Sequence, residues 1–165
     1  MTTQIKGNDT STFGGNIDVT GNVITDAPSF YAYGSTATSA SNTTWTKLIA
    51  DTEQWDTDSC YDTTNYRFTP NVEGYYFLSA NYYMGNTSSS RTCRVLKNGT
   101  TEVLRGSISD GAAGIGSGAI LNGLVYLNGT TDYVEFYMYH NAGSTISTNT
   151  ASYLTYFSGF LARAV

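Results

Sequence analysis

Ser152-Tyr153-Leu154-Thr155-Tyr156-Phe157-Ser158-Gly159-Phe160-Leu161-Ala162 is an aromatic-rich run that ends within three residues of the C-terminus. It reads as a β-strand. A strand this apolar is not a frayed tail, because an exposed, unpaired strand edge invites aggregation. The reading therefore inserts it in the middle of a sheet, with its surplus aromatics buried at a subunit interface.

Composition agrees with an all-β chain. The 165 residues fit one domain, long enough to bury about 70% of the unfolded surface. Charged residues make up only 13% and aromatics 14%, with 14 tyrosines. Tyr, Thr and Val suit a half-buried pleated surface, and helix formers are scarce. No stretch holds helical apolar spacing beyond a turn or two, so almost no α-helix is expected. The net charge of −5 and the scattering of the eight basic residues argue against nucleic acid as a partner. No run approaches a membrane span, so no membrane insertion is expected, and residues 1–7 lack a signal-peptide core. Synthesis in the cytoplasm of a host is the matching expectation.

The chain divides into a leader, residues 1–27, and a head, residues 28–165. In the leader Phe13, Ile17, Val19, Val23 and Ile24 are separated by Gly-Gly and Gly-Asn turn signals. Such short strands cannot bury a face alone. They suit a small three-chain prism or docking on another protein, with a plain flexible leader as the simpler alternative. The phrase Asn16-Ile17-Asp18-Val19-Thr20-Gly21-Asn22-Val23 resembles the short β-repeats at the base of phage fibre and spike proteins. The head reads as a series of strands. Lys97-Asn98-Gly99-Thr100 predicts a tight hairpin between 92–96 and 101–104, because Asn-Gly tolerates positive φ at both central positions. A second pair, 119–127 and 133–140, is expected to join through Asn128-Gly129-Thr130-Thr131-Asp132. Alternation in 134–139 turns Val134, Phe136 and Met138 to the core. Gly74 to Ala80 is apolar on both faces over most of its length, as a strand at a sheet–sheet and subunit–subunit junction would be.

Six pieces in order carry a resemblance: Phe68-Thr69-Pro70, Gly74-Tyr75-Tyr76-Phe77, Leu96-Lys97-Asn98-Gly99, Ser117-Gly118-Ala119-Ile120-Leu121, Asp132-Tyr133-Val134 and Phe157-Ser158-Gly159-Phe160-Leu161. Over residues 28–162 the chain resembles the complement-type globular head, which shares the jelly roll of the tumour necrosis factor superfamily. Pro70 stands four residues ahead of Gly74, where that family often has proline directly before the glycine. The resemblance implies a jelly-roll β-sandwich of about ten strands, assembled as a tight homotrimer. Carried over to this chain, the axis-lining residues are Tyr75, Phe77, Tyr82, Tyr153, Phe157 and Phe160. Such heads sometimes hold calcium near the axis through loop carboxylates, and Asp110 lies in the corresponding loop. A lone Asp beside Gly is more simply a turn former, so no cofactor or metal is expected.

Catalytic chemistry finds little footing. The single histidine, His140, has no partner in sequence and reads as structural. Asp51, Glu53, Asp56, Asp58 and Asp62 are spaced like a solvated loop, without the order of a calcium loop or a facing carboxylate pair. Residues 111–118, rich in glycine, lack the Lys and helix of a phosphate loop. Cys60 and Cys93 read as two small buried side chains, with a bridge left open. Sequons at Asn42, Asn86 and Asn98 carry little weight without a secretory signal.

The resulting expectation is a non-enzymatic virion structural protein: a trimeric knob at the virion surface, decorating and cementing a bacteriophage capsid. Its leader would attach it to the major capsid protein or another virion protein. The alternatives are a receptor- or glycan-binding tip of a tail fibre, touching a host-surface glycan, and a secreted lectin-like or cytokine-like head. Loops 35–43, 84–90 and 142–150, rich in Ser, Thr and Asn, suit glycan contact or solubility.

Overall fold

The computed structural model describes residues 27–85, 90–108 and 117–165. The leader positions Phe13, Ile17, Val19, Val23 and Ile24, the calcium candidate Asp110 and the Asn86 sequon lie outside the described residues.

Thirteen strands follow in order among the described residues: β1 Ser29–Tyr33, β2 Ser39–Ala40, β3 Thr46–Lys47, β4 Thr52–Asp56, β5 Tyr61–Asp62, β6 Arg67–Phe68 and β7 Glu73–Met84. Then come β8 Arg91–Lys97, β9 Thr101–Ile108, β10 Ser117–Asn128, β11 Val134–His140, β12 Ile146–Ser147 and β13 Tyr156–Ala164. Two antiparallel sheets form the sandwich. The first has the order β10-β7-β13-β1-β4; the second runs β5-β6-β11-β8-β9, with β3 added beside β11. A two-stranded ribbon, β2 with β12, closes one end. The C-terminal strand is central, as its apolarity demanded, paired with β7 on one side and β1 on the other. It starts later than the sequence suggested. Residues 152–155 form a turn, so Tyr153 is outside the strand.

Strict alternation builds the core. On β7, Tyr76, Leu78, Ala80, Tyr82 and Met84 all point inward and are fully buried. Phe30 stacks on Phe68 and Tyr61 with ring centroids 4.4 and 4.9 Å away, and meets Phe157 edge-on at 4.9 Å. Phe157 in turn packs on Phe136 of the opposite sheet at 6.0 Å, which ties the two layers together. Val134, Phe136 and Met138 face this core, as their alternation required. Buried tyrosines find carbonyl partners: Tyr82 donates to Tyr139 O at 2.8 Å and Tyr76 to Val72 O at 2.7 Å. Burial is what raises the pKa of the Tyr82 phenol. Both cysteines are free and buried, and burial pushes the Cys93 thiol up to about 12.

The Asn98-Gly99 turn forms as expected, with φ of +54° and +71°, and it joins β8 to β9. The second expected hairpin does not exist. β10 pairs with β7 and β11 pairs with β8, so residues 128–132 carry the chain from one sheet to the other. The long pairings decide this: β10 adds to β7 over twelve residue pairs and β11 to β8 over seven, which places the two strands in different sheets. Asn128 shapes the crossing: its Oδ1 accepts from the N–H groups of Thr130, Thr131 and Asp132 at 2.9 to 3.1 Å.

Gly106 sits where β9 of the second sheet touches β10 of the first. A Cβ there would stand 2.1 Å from Ile120 O, a backbone atom. Gly106→Val is therefore expected to destabilise the head by about 1–3 kcal/mol through forced backbone displacement. Urea unfolding followed by circular dichroism measures this.

Candidate functional site

Alternation on the first sheet leaves a complete second face on the outside. Its rows follow from strand register. Leu124, Phe77 and Phe160 stand side by side across β10, β7 and β13, with Tyr126 and Tyr75 paired just beyond them. Leu124 is 60%, Phe160 51% and Tyr75 45% exposed, although all three are large and apolar or amphipathic. Phe77 packs against Phe160 at 5.5 Å, and Tyr75 against Tyr126 at 5.7 Å. Beside them Tyr75, Leu124 and residues 162–165 line an open groove of about 820 Å³. Among the described residues, apolar side chains grouped and exposed in this way have the character of an interaction surface.

The next row along the sheet is polar at its centre, with Asn122, Ser79 and Ser158 in register, and ends in Tyr31 and Trp55. Tyr31 and Trp55 lie 5.1 Å apart, and Tyr31 stacks on Tyr156 at 5.3 Å. The outer face thus has an aliphatic-aromatic half near β10 and a tyrosine-tryptophan half near β4.

These positions sort the six residues carried over as an interface. Tyr75, Phe77 and Phe160 lie on the outer face. Tyr82 and Phe157 do not: both are buried in the protomer core, where no second chain can touch them. The reason is parity. Tyr82 is an odd number of residues from Tyr75 and Phe77, as Phe157 is from Phe160, so each projects through the opposite side of its strand. Tyr153 is exposed on the turn before β13. Leu124, Ile120 and Tyr126, which the sequence reading passed over, share the outer face. β10 is apolar at even and odd positions alike, so only its pairing with β7 reveals which set is outward.

In the search of solved structures, the described architecture superposes on several heads at low sequence identity. The globular domain of zebrafish complement 1qA matches with a TM-score of 0.64 and 14% identity, covering 84% of this chain and 99% of that one. Murine APRIL matches at 0.65 and 11%, covering 82% and 98%. The Eiger TNF from S. frugiperda gives 0.62 and 10%, over 84% and 93%. The chain folds as a TNF/C1q-like jelly roll. No family profile and no curated protein sequence matches it.

The rest of the jelly roll accounts for the remaining candidate residues in structural terms. His140 is buried; its Nε2 lies 3.0 Å from Ala40 O and its Nδ1 accepts from Ala142 N–H at 3.3 Å, which describes the neutral ring protonated at Nε2. It pins loop 35–43 to loop 142–150. These two loops also share the β2–β12 ribbon, and Gly143 N–H donates to Asn42 Oδ1 at 2.7 Å. Ser90 N–H reaches Asn141 Oδ1 at 2.8 Å, so the segment leading into β8 joins the same pole of the sandwich.

The acidic cluster disperses onto backbone N–H groups. Asp56 accepts from Cys60 and Tyr61, Asp62 from Thr64 and Asn65, and Asp51 from Ser35. Hydrogen bonds from the Asn65 side chain and backbone hold Asp62 below its ordinary range, whereas burial and then Asp56 raise Glu53. Among the described residues, no group of three or more His, Cys, Asp or Glu side chains could hold a metal. No helix there is long and apolar enough to cross a membrane.

Five basic residues scattered in sequence converge on the outside of the second sheet. Lys47 pairs with Glu135 at 2.9 Å, Lys97 with Asp132 at 2.7 Å, and Arg94 and Arg105 with Glu102 at 3.6 and 2.5 Å; Arg67 approaches Asp62 at 3.8 Å. Arg94 also lies over the Trp45 ring, 4.1 Å from its centroid. Each cation meets a carboxylate, so this face closes on itself.

Burial works against ionising Asp132, yet Lys97, the Asn98 amide and Asn128 N–H outweigh it and hold its carboxyl below the usual range. A carboxyl that loses its proton more readily folded than unfolded stabilises the fold above the unfolded pKa. That stability disappears as pH falls through the lower folded value. Asp132→Asn is therefore expected to lower stability at pH 7 and to flatten its decline below about pH 4. Thermal melts from pH 2.5 to 7 check both limbs.

Proposed function

We propose that the chain is a non-enzymatic homotrimeric head at the surface of a virus particle, in the first instance a decoration or cement protein of a bacteriophage capsid. The observation that carries the trimer is the uncovered patch of Leu124, Phe160, Tyr75, Phe77 and Tyr126 on the sheet that holds the C-terminal strand. Burying such surface is worth about 25 cal/mol per Å². A face that meets a different surface of its neighbour closes into a ring when the rotation allows, and the resemblance to complement-type heads favours three members. The virion setting rests on the leader, whose sequence Asn16-Ile17-Asp18-Val19-Thr20-Gly21-Asn22-Val23 resembles the short repeats of phage fibre bases and would engage a capsid or other virion protein.

A receptor-binding fibre tip is the second reading. The uncharged loops gathered at one pole and the outward Trp55 favour it. A secreted lectin-like or cytokine-like head would use the same fold without the leader's role.

Light scattering tests the assembly: the expected mass is three times 17.8 kDa. Labelled antibody on intact particles tests the location, with label over capsid faces supporting decoration and label at tail tips supporting the fibre reading. A monomer in solution overturns the trimer, and unlabelled particles overturn the virion role.

A further inference from the structure

Trp55 is 47% exposed on β4, the margin of the first sheet. Its indole lies against Tyr31, tilted by 34° with ring centroids 5.1 Å apart, and the Tyr31 ring is in turn fixed by stacking on Tyr156 and by donation from its hydroxyl to Ser152 O at 2.7 Å. Among the described residues no strand of the sheet lies beyond β4, and nearly half of Trp55 stays open to solvent. Exposed Gln54 and Glu53 precede it, displaced by a bulge opposite Tyr31 and Ala32. Bulges re-aim side chains at functional edges, and the extra, unpaired residue here is the exposed Gln54, whose amide carries the donors and acceptors that sugar hydroxyls need. The C–H face of a pyranose suits the electron-rich ring. Leu124 stands four strand spacings away, about 19 Å, across the polar row of Ser158, Ser79 and Asn122.

We propose that Trp55, braced by Tyr31 and Tyr156, is the platform of a binding site for a neutral oligosaccharide. Charge selects neutrality: Glu53 and Asp56 share the strand with Trp55, and the chain carries a net −5, so sialylated, sulfated or uronic sugars are repelled. The inference rests on reading the head as a surface binding module, and it names the chemistry that module takes.

Trp45 and Trp55 are the only tryptophans, so Trp45→Phe makes Trp55 a private fluorophore. The full chain with this change is titrated with cellohexaose, chitohexaose and maltohexaose, with polygalacturonate as the anionic comparison. At least one neutral hexamer is expected to shift the emission to the blue and to shield it from acrylamide in a saturable way. Trp55→Ala in the otherwise native chain should raise the calorimetric Kd for that sugar at least about tenfold, with the mass by light scattering unchanged. The site is refuted if no neutral hexamer alters the emission, if polygalacturonate binds more tightly, or if Trp55→Ala binds as well as the parent. It is refuted too if Trp55→Ala changes the mass, since Trp55 would then serve subunit contact. Trp55-dependent sugar binding by a protein of single-chain mass would support the site while defeating the trimer.

Discussion

Phe157→Ser is expected to unfold the head instead of separating folded subunits. The Phe157 ring is fully buried between Phe30 of its own sheet and Phe136 of the other, so its loss opens a cavity where the two layers meet. Truncating a core phenylalanine costs about 3–5 kcal/mol, and a buried serine hydroxyl without a partner adds about 1–3 kcal/mol. Against the 5–15 kcal/mol that holds a typical domain together, that loss is decisive. Far-UV circular dichroism of the purified variant should show a melting temperature lowered by more than 10 °C, or no cooperative transition. A variant that keeps the parental melting temperature and only changes mass would put Phe157 back at a subunit boundary.

Leu124→Glu should do the reverse. The side chain is mostly outside the protomer, so a carboxylate there costs the isolated head less than 1 kcal/mol. In a trimer sealed by this patch, the same carboxylate would be desolvated without a partner, three times per particle. The expected result is a folded species of 17.8 kDa, with unaltered circular dichroism, in place of one three times that mass. Phe160→Glu, two strands away in the same row, should behave alike, which guards against a purely local effect of Leu124. A trimer that survives both changes would remove this face from the assembly.

The two substitutions also mark where sequence reading stopped. The central position of the last strand was legible, because its apolarity left no other place for it. The Asn98-Gly99 hairpin and the inward set Val134, Phe136 and Met138 were legible for equally local reasons, a backbone preference and a period of two. Tyr82 and Phe157 were misplaced because β7 and β13 are apolar on both sides. Alternation then says which residues share a face but not which face is inward. That choice is made by Phe30, Phe136 and the opposite sheet, all distant in sequence. The false hairpin at 128–132 has the same origin: Asn-Gly marks a turn, and only the long-range pairing of β10 with β7 and of β11 with β8 decides that it bridges layers. Likewise Lys47, Arg67, Arg94, Lys97 and Arg105 look scattered until the strand order brings them to one side. The contact of Trp55 with Tyr31 depends on a bulged pairing between strands about twenty residues apart, which no local pattern announces.

The two thiols provide a built-in clock for opening of the head. Cys93 is sealed in the interior, where burial pushes its thiol up to about 12, and Cys60, buried at the end of the loop before β5, is also shifted up by burial, so both thiols are protected from an alkylating reagent while the head is closed. Modification by iodoacetamide must then wait for each protomer to breathe. The ratio of Cys60 to Cys93 labelling, read by mass spectrometry, would separate fraying of one loop from rupture of the whole sandwich.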